Sequence, residues 1–188
     1  MSAEKRILVA GIGNIFFGDD AFGCEVLEEL RRRGVPGEVE AVDFGIRSYD
    51  LAYALMDGYE TAILVDAVPR GEPPGTLFLI EPDPVELENF SGEIDAHRMN
   101  PVSVLQMVKS LGGKTGRLYL VGCEPAVLEC EEGEMGLSEN VRAAVPGAVE
   151  MIESLLGKLL IERSDPSPIA ARENDISICH SITNNHAS

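Results

Sequence analysis

Apolar residues recur along this chain in two periods, and each change of period marks an element. Residues 6–10, RILVA, form a short continuous apolar run of the kind a buried strand carries. From Ala21 to about Arg33 the period becomes helical: Phe22, Val26, Leu27 and Leu30 share one face, and Gly34 is the stop. Residues 38–44, EVEAVDF, alternate and predict a second strand. Residues 47–57 predict a second helix through Leu51, Ala52, Leu55 and Met56. TAILVDAV, 61–68, is a third strand, apolar enough to be central.

The Pro73-Pro74-Gly75 turn leads into TLFLIEP, 76–82, a fourth strand. No helix fits between it and the third, so it is expected to be antiparallel. Residues 83–99 are polar and irregular. PVSVLQMVKSLG, 101–112, predicts a helix opened by Pro101 and closed by Gly112. RLYLVGC, 117–123, is a fifth strand, followed by a loop rich in Glu. A last helical run goes from Ser138 to about Leu160, with Pro146 expected to kink or split it.

Strands alternating with helices predict an α/β fold. The expectation is a three-layer sandwich: a five-stranded, mostly parallel twisted sheet with one antiparallel strand and helices on both faces. Residues 1–161 form its single domain. After Ile161 the chain turns polar and loses its period, so residues 162–188 are expected to be a disordered tail.

Charge narrows the function classes. The net charge of −17 argues against nucleic acid and against an anionic membrane surface, both of which attract Lys and Arg. It leaves solubility, or affinity for cations or a basic partner. The N-terminal apolar run is short and passes straight into a glycine loop, unlike a signal peptide. No stretch approaches the ~18 apolar residues of a membrane span. Cys24, Cys123, Cys130 and Cys179 contain no Cys-x-x-Cys pair, which removes zinc ribbons and thioredoxin motifs. Buried thiols in a reducing compartment, hence a cytoplasmic protein, are the expectation.

The chemistry gathers around GIGNIFFGDDAFG, residues 11–23. Gly11 and Gly13 after an apolar strand open a dinucleotide fingerprint, with Asp43 at the end of the second strand as the ribose acid. Phe16 stands where the third glycine belongs, and Phe16 and Phe17 are expected to obstruct packing against a pyrophosphate. Asp19 and Asp20 put negative charge where a helix N-terminus would receive phosphate. An aspartate before a helix is commonly an N-cap. One of the pair is expected to serve so, Asp19 being the better candidate, which leaves Asp20 available as a ligand.

Asp66 ends the apolar third strand. In open α/β sheets ligands bind beyond the carboxyl ends of the strands. Asp20, Asp43 and Asp66 would crowd one edge if the first three strands are parallel, and a cation would relieve their repulsion. His97 lies in a polar loop directly before a helix, free to reach that edge, although a lone histidine is more often structural. Two carboxylates and an imidazole make a partial shell for a divalent transition metal. His-Glu-x-x-His and Gly-x-Ser-x-Gly are both absent, against a conventional zinc metalloprotease and a serine hydrolase. Cys24 and Cys123 read as packing residues rather than nucleophiles.

These residues in this order resemble the hydrogenase maturation endopeptidases. The resemblance rests on GIGNIFFGDDAFG, DFG at 43–45, VDA at 65–67, His97 before a long helix, VGCEP and GLSENV, and covers about residues 5–160. It implies an endopeptidase that removes the C-terminal extension of a nickel–iron hydrogenase large-subunit precursor already loaded with nickel. It implies Asp20, Asp66 and His97 as nickel ligands. The second acid of the pair, Glu in some members, is Asp here, one methylene shorter. Gly11, Gly13, Asn14, Asp43 and Gly45 are the supporting motif residues. The nickel would arrive with the substrate, leaving it to polarise the scissile carbonyl or activate a water, or an aspartate to act as general base. The alternative from another class is a nickel-binding or assembly scaffold that cuts nothing. The tail has no counterpart in the resemblance.

Overall fold

The computed structural model describes residues 6–82, 101–128 and 136–164. The strands are β1 (Ile7–Ile12), β2 (Val39–Gly45), β3 (Thr61–Ala67), β4 (Leu77–Ile80) and β5 (Arg117–Cys123). The helices, in chain order, are α1 (Phe22–Arg33), α2 (Ser48–Met56), α3 (Pro101–Ser110) and α4 (Glu139–Ser164). A 3-10 turn over Gly18–Ala21 leads into α1. The strand order is β2-β1-β3-β5-β4. β1, β2, β3 and β5 run parallel, and β4 is antiparallel to β5. The expected sandwich is therefore the observed one. The short β3–β4 connection does not make a hairpin, however, because β5 lies between the two strands.

Side-chain alternation divides the core between the two faces of the sheet. Ile7, Val9, Ile63, Val65 and Val121 pack against α1 and α4 through residues such as Phe22, Val26, Val149 and Ile152. Leu8, Ala10, Leu64 and Leu118 pack against α2 and α3 through Leu51, Leu55, Val104 and Val108. β1 and β3 are buried along their whole lengths, which is why they read as unbroken apolar runs. Each large apolar side chain removed fully from water contributes about 2 kcal/mol.

Pro146 does not split the last helix: α4 runs through it, and past the expected boundary at 161, to Ser164. Pro146 and Arg142 are both exposed, so water can satisfy the Arg142 carbonyl that loses its N–H partner. The tail from 165 onward, the polar segment 83–100 and most of the Glu-rich loop lie outside the described residues. Among the described residues no helix is long and apolar enough to cross a membrane.

Candidate active site

The parallel strands β1, β2 and β3 end together, and their carboxyl edge carries the acids. The loop after β1 is built by short-range bonds. Phe16 N–H donates to Asn14 Oδ1 at 3.1 Å. Phe17 N–H donates to the Asn14 carbonyl and Asp20 N–H to the Phe17 carbonyl. The loop then doubles back so closely that a Cβ on Gly13 would lie 1.7 Å from the Asp20 carbonyl oxygen. Gly13 also has φ 133°, a region that side chains rarely tolerate. Gly11, two residues earlier, packs against Leu27 of α1.

The turn brings the Asp20 carboxylate back over the strand end, where its Oδ2 accepts the Asn14 N–H at 2.7 Å. This contact counts against a phosphate cradle: the Asn14 N–H is already occupied by the protein's own carboxylate. Phe16 and Phe17 are not the obstruction the sequence reading made of them. Both side chains are exposed rather than packed into the turn.

Asp66 ends β3 with only 3% of its surface exposed. Burial pushes its carboxyl well above the usual carboxylate range, the charge of Asp20 adds to that, and the Ala67 N–H opposes it. Asp20 and Asp66 are therefore close enough for their charges to act on one another. A cation between them would relieve both the desolvation and the repulsion.

Asp43 does not join this pair. It is paired with Gly11, which is paired in turn with Val65. Asp43 thus lies in the Val65 row, on the α1 face, whereas Asp66 is one residue further and points to the opposite face. The three acids share an edge but not a side. The Asp43 carboxylate instead accepts Gly45 N–H at 2.9 Å and lies beside Cys24. Gly45 in turn receives the Gly13 N–H at 3.1 Å, tying the DFG turn to the glycine loop. Among the described residues no three His, Cys, Asp or Glu side chains converge to hold a metal ion. The pair offers two carboxylates with the rest of the shell left to other groups, a donor set that fits a divalent transition metal. His97 lies outside the described residues; in sequence it is four residues before α3, which packs on the face toward which Asp66 points.

Asp19 is not the N-cap of α1. It is 1% exposed, and its carboxylate turns away from the helix. Oδ2 accepts Ala126 N–H at 2.8 Å, Val127 N–H at 3.0 Å and the Ser138 hydroxyl at 3.0 Å, while Oδ1 accepts Ser138 N–H at 2.7 Å. Asp19 therefore fastens both ends of the β5–α4 connection to the glycine loop. Helix α1 has no side-chain cap at all.

Cys24 and Cys123 are buried, as packing residues should be. Burial, followed by Asp43 and Asp20, pushes the Cys24 thiol up to about 12. Burial, with Asp19 and Glu124, does the same to Cys123. Neither is poised as a nucleophile. Sequence reasoning included Glu124 in the VGCEP element but gave it no role. Glu124 is 5% exposed and accepts Arg70 N–H at 2.7 Å and Gly71 N–H at 3.1 Å. Its position directly after an apolar strand, as with Asp66, was the available signal.

Known proteins share this fold and sequence. The family described as hydrogenase maturation protease matches residues 24–155, a span that includes Asp43, Asp66 and His97 but begins after Asp20. The hydrogenase 2 maturation protease of Escherichia coli is 32% identical over 109 residues, 57% of this chain and 65% of its own length. The hydrogenase maturating endopeptidase HybD of E. coli superposes with a TM-score of 0.68 at 30% identity, over 82% of this chain and 93% of that one. A hydrogenase 2 maturation peptidase of a Thaumarchaeota archaeon gives 0.62 at 34% identity, over 81% and 99%. The chain spans about three fifths of the length of the curated relatives it matches, for instance 62% and 58%.

Proposed function

The chain belongs to the hydrogenase maturation protease family, and from that membership we propose that it is an endopeptidase acting on a nickel–iron hydrogenase large-subunit precursor. In this reading it removes the precursor's C-terminal extension and recognises the nickel already held there through Asp20, Asp66 and His97. The observation that carries it is the Asp66 carboxyl, buried at the end of a central strand and within the field of Asp20, an arrangement that a cation would relieve.

The nickel is part of the substrate, and it would act as a Lewis acid beside the scissile bond. The protein's own contribution is placement. Gly13 and Asn14 turn the chain so that the Asp20 carboxylate is held at the Asn14 N–H, within the field of Asp66. Asp66 sits on a rigid central strand, which keeps its carboxyl fixed while a substrate docks. In the alternative to activation by the metal, an aspartate serves as the general base that takes the proton from water. The two buried thiols are held protonated by their surroundings, so a cysteine nucleophile is not part of the proposal.

The test is cleavage of the precursor with and without nickel, read by mass spectrometry. Loss of the extension only from nickel-loaded precursor supports the reading. An intact precursor with bound enzyme would favour a scaffold that cuts nothing. Asp66→Asn and Asp20→Ala should each abolish processing while leaving the fold intact, and processing by both at the wild-type rate would refute the assignment.

A further inference from the structure

The row of the sheet that carries Asp66 continues across two more strands. Gly122 on β5 pairs with Asp66 on one side and with Phe78 of β4 on the other. A Cβ on Gly122 would lie 1.9 Å from Phe78 Cε2. The Phe78 ring therefore fills the space a side chain at 122 would take, on the face toward which Asp66 points. Arg70 lies over that ring, its guanidinium carbon 5.2 Å from the ring centroid. Stacking of this kind holds a guanidinium in place and leaves its N–H edge free.

The backbone beneath Arg70 is held as well. Buried Glu124 accepts the N–H groups of Arg70 and Gly71, so its charge is directed at the backbone and not at the guanidinium. Arg70 is exposed, and among the described residues its guanidinium has no carboxylate partner, unlike Arg6, Arg32, Arg33, Arg47 and Arg117. An oriented cation without a carboxylate partner among the described residues, over a ring two strand spacings from Asp66 and on a chain of net charge −17, is a recognition element for an anion.

We propose that Arg70, seated on Phe78, is a specificity-determining residue that binds a carboxylate of the peptide substrate. The inference rests on the reading of the Asp20–Asp66 edge as the peptidase site. Asp66 and Phe78 are two strand spacings apart, ~10 Å, a span that about three residues of extended peptide cover. The carboxylate belongs about that far along the substrate from the group held at Asp66. Its source is an acidic side chain of the extension or the extension's terminal carboxylate.

The test uses the full chain and a nickel-loaded large-subunit precursor. Arg70→Gln is expected to raise KM about tenfold or more, the loss of one charge-assisted contact, with kcat within about twofold. Arg70→Lys should recover part of this, and Phe78→Leu should fall between. Thermal melts matching wild type show that the variants fold. In two further arms, the acidic side chains of the extension are replaced by their amides, or its terminus is lengthened by Gly-Ser. The change that abolishes the difference between wild type and Arg70→Gln identifies the source. Equal KM values for wild type and Arg70→Gln would overturn the proposal, as would a difference that survives both changes. Calorimetric titration of a synthetic extension peptide separates this failure from that of the underlying reading. Equal affinity for wild type and Arg70→Gln sinks the role of Arg70, whereas an uncut precursor with Arg70-dependent peptide binding sinks only the cleavage.

Discussion

Asp19 and Asp20 are adjacent in the chain, yet their carboxylates serve opposite purposes. That of Asp19 is enclosed by donors from Ala126, Val127 and Ser138. That of Asp20 accepts the Asn14 N–H and lies within the field of Asp66. One acid holds the fold together, and its neighbour is the one proposed as a metal ligand.

Replacing Asp19 by Ala should therefore cost stability. It leaves buried donors without acceptors, for a loss of about 3 kcal/mol or more, measured as a lower urea midpoint. Asp20→Asn should stay within about 1 kcal/mol of wild type while abolishing processing. A stability loss at Asp20 as large as that at Asp19 would contradict the division of roles.

Asp66→Asn should stabilise the metal-free protein at neutral pH. The carboxyl of Asp66 is raised in the folded state above its ordinary value of 3.8, so the folded chain binds the proton more tightly than the unfolded one. Wild-type stability then falls as pH rises through 3.8 toward the raised value, and the neutral amide escapes that loss. Melting temperatures of the two proteins in chelator should agree near pH 3 and diverge on the way to neutrality. Curves that stay parallel at every pH would show that Asp66 is not raised.

Gly13→Ala should disrupt the loop. The added methyl meets the Asp20 carbonyl at 1.7 Å and the backbone has φ 133°, a combination expected to cost about 3 kcal/mol. Circular dichroism should keep its α/β signature while the melting temperature drops and processing is lost. A fully active, equally stable variant would mean the turn is not needed to place Asp20.

Cys24 and Cys123 should resist alkylation. With thiols raised to about 12 and buried, iodoacetamide at pH 8 should leave both peptides unlabelled in the native protein and label both in urea. Rapid native labelling of Cys24 would revive a nucleophilic role for it.

The secondary structure was readable because its signals are local. The strand around Ile63 is buried on both faces and must be apolar throughout, and the helix with Phe22, Val26, Leu27 and Leu30 must repeat on one side. Roles that depend on partners distant in sequence were not readable. Asp19 looks like a cap until Ser138, 119 residues away, is brought against it. Glu124 looks like one of many loop acids until it meets the turn at Arg70, 54 residues away.

By itself, then, the sequence determined the order of strands and helices, the glycine loop, and the choice of carboxylates rather than a phosphate cradle. Apolar period, turn residues and charge act within a few residues and are legible there. Tertiary structure decided which acids act on one another. Strand register put Asp43 and Asp66 on opposite faces of the sheet, and insertion of β5 between β3 and β4 brought Phe78, with Arg70 on its ring, into the row of Asp66. A one-residue difference in register reverses the face of a side chain, and no local pattern in this chain records that choice.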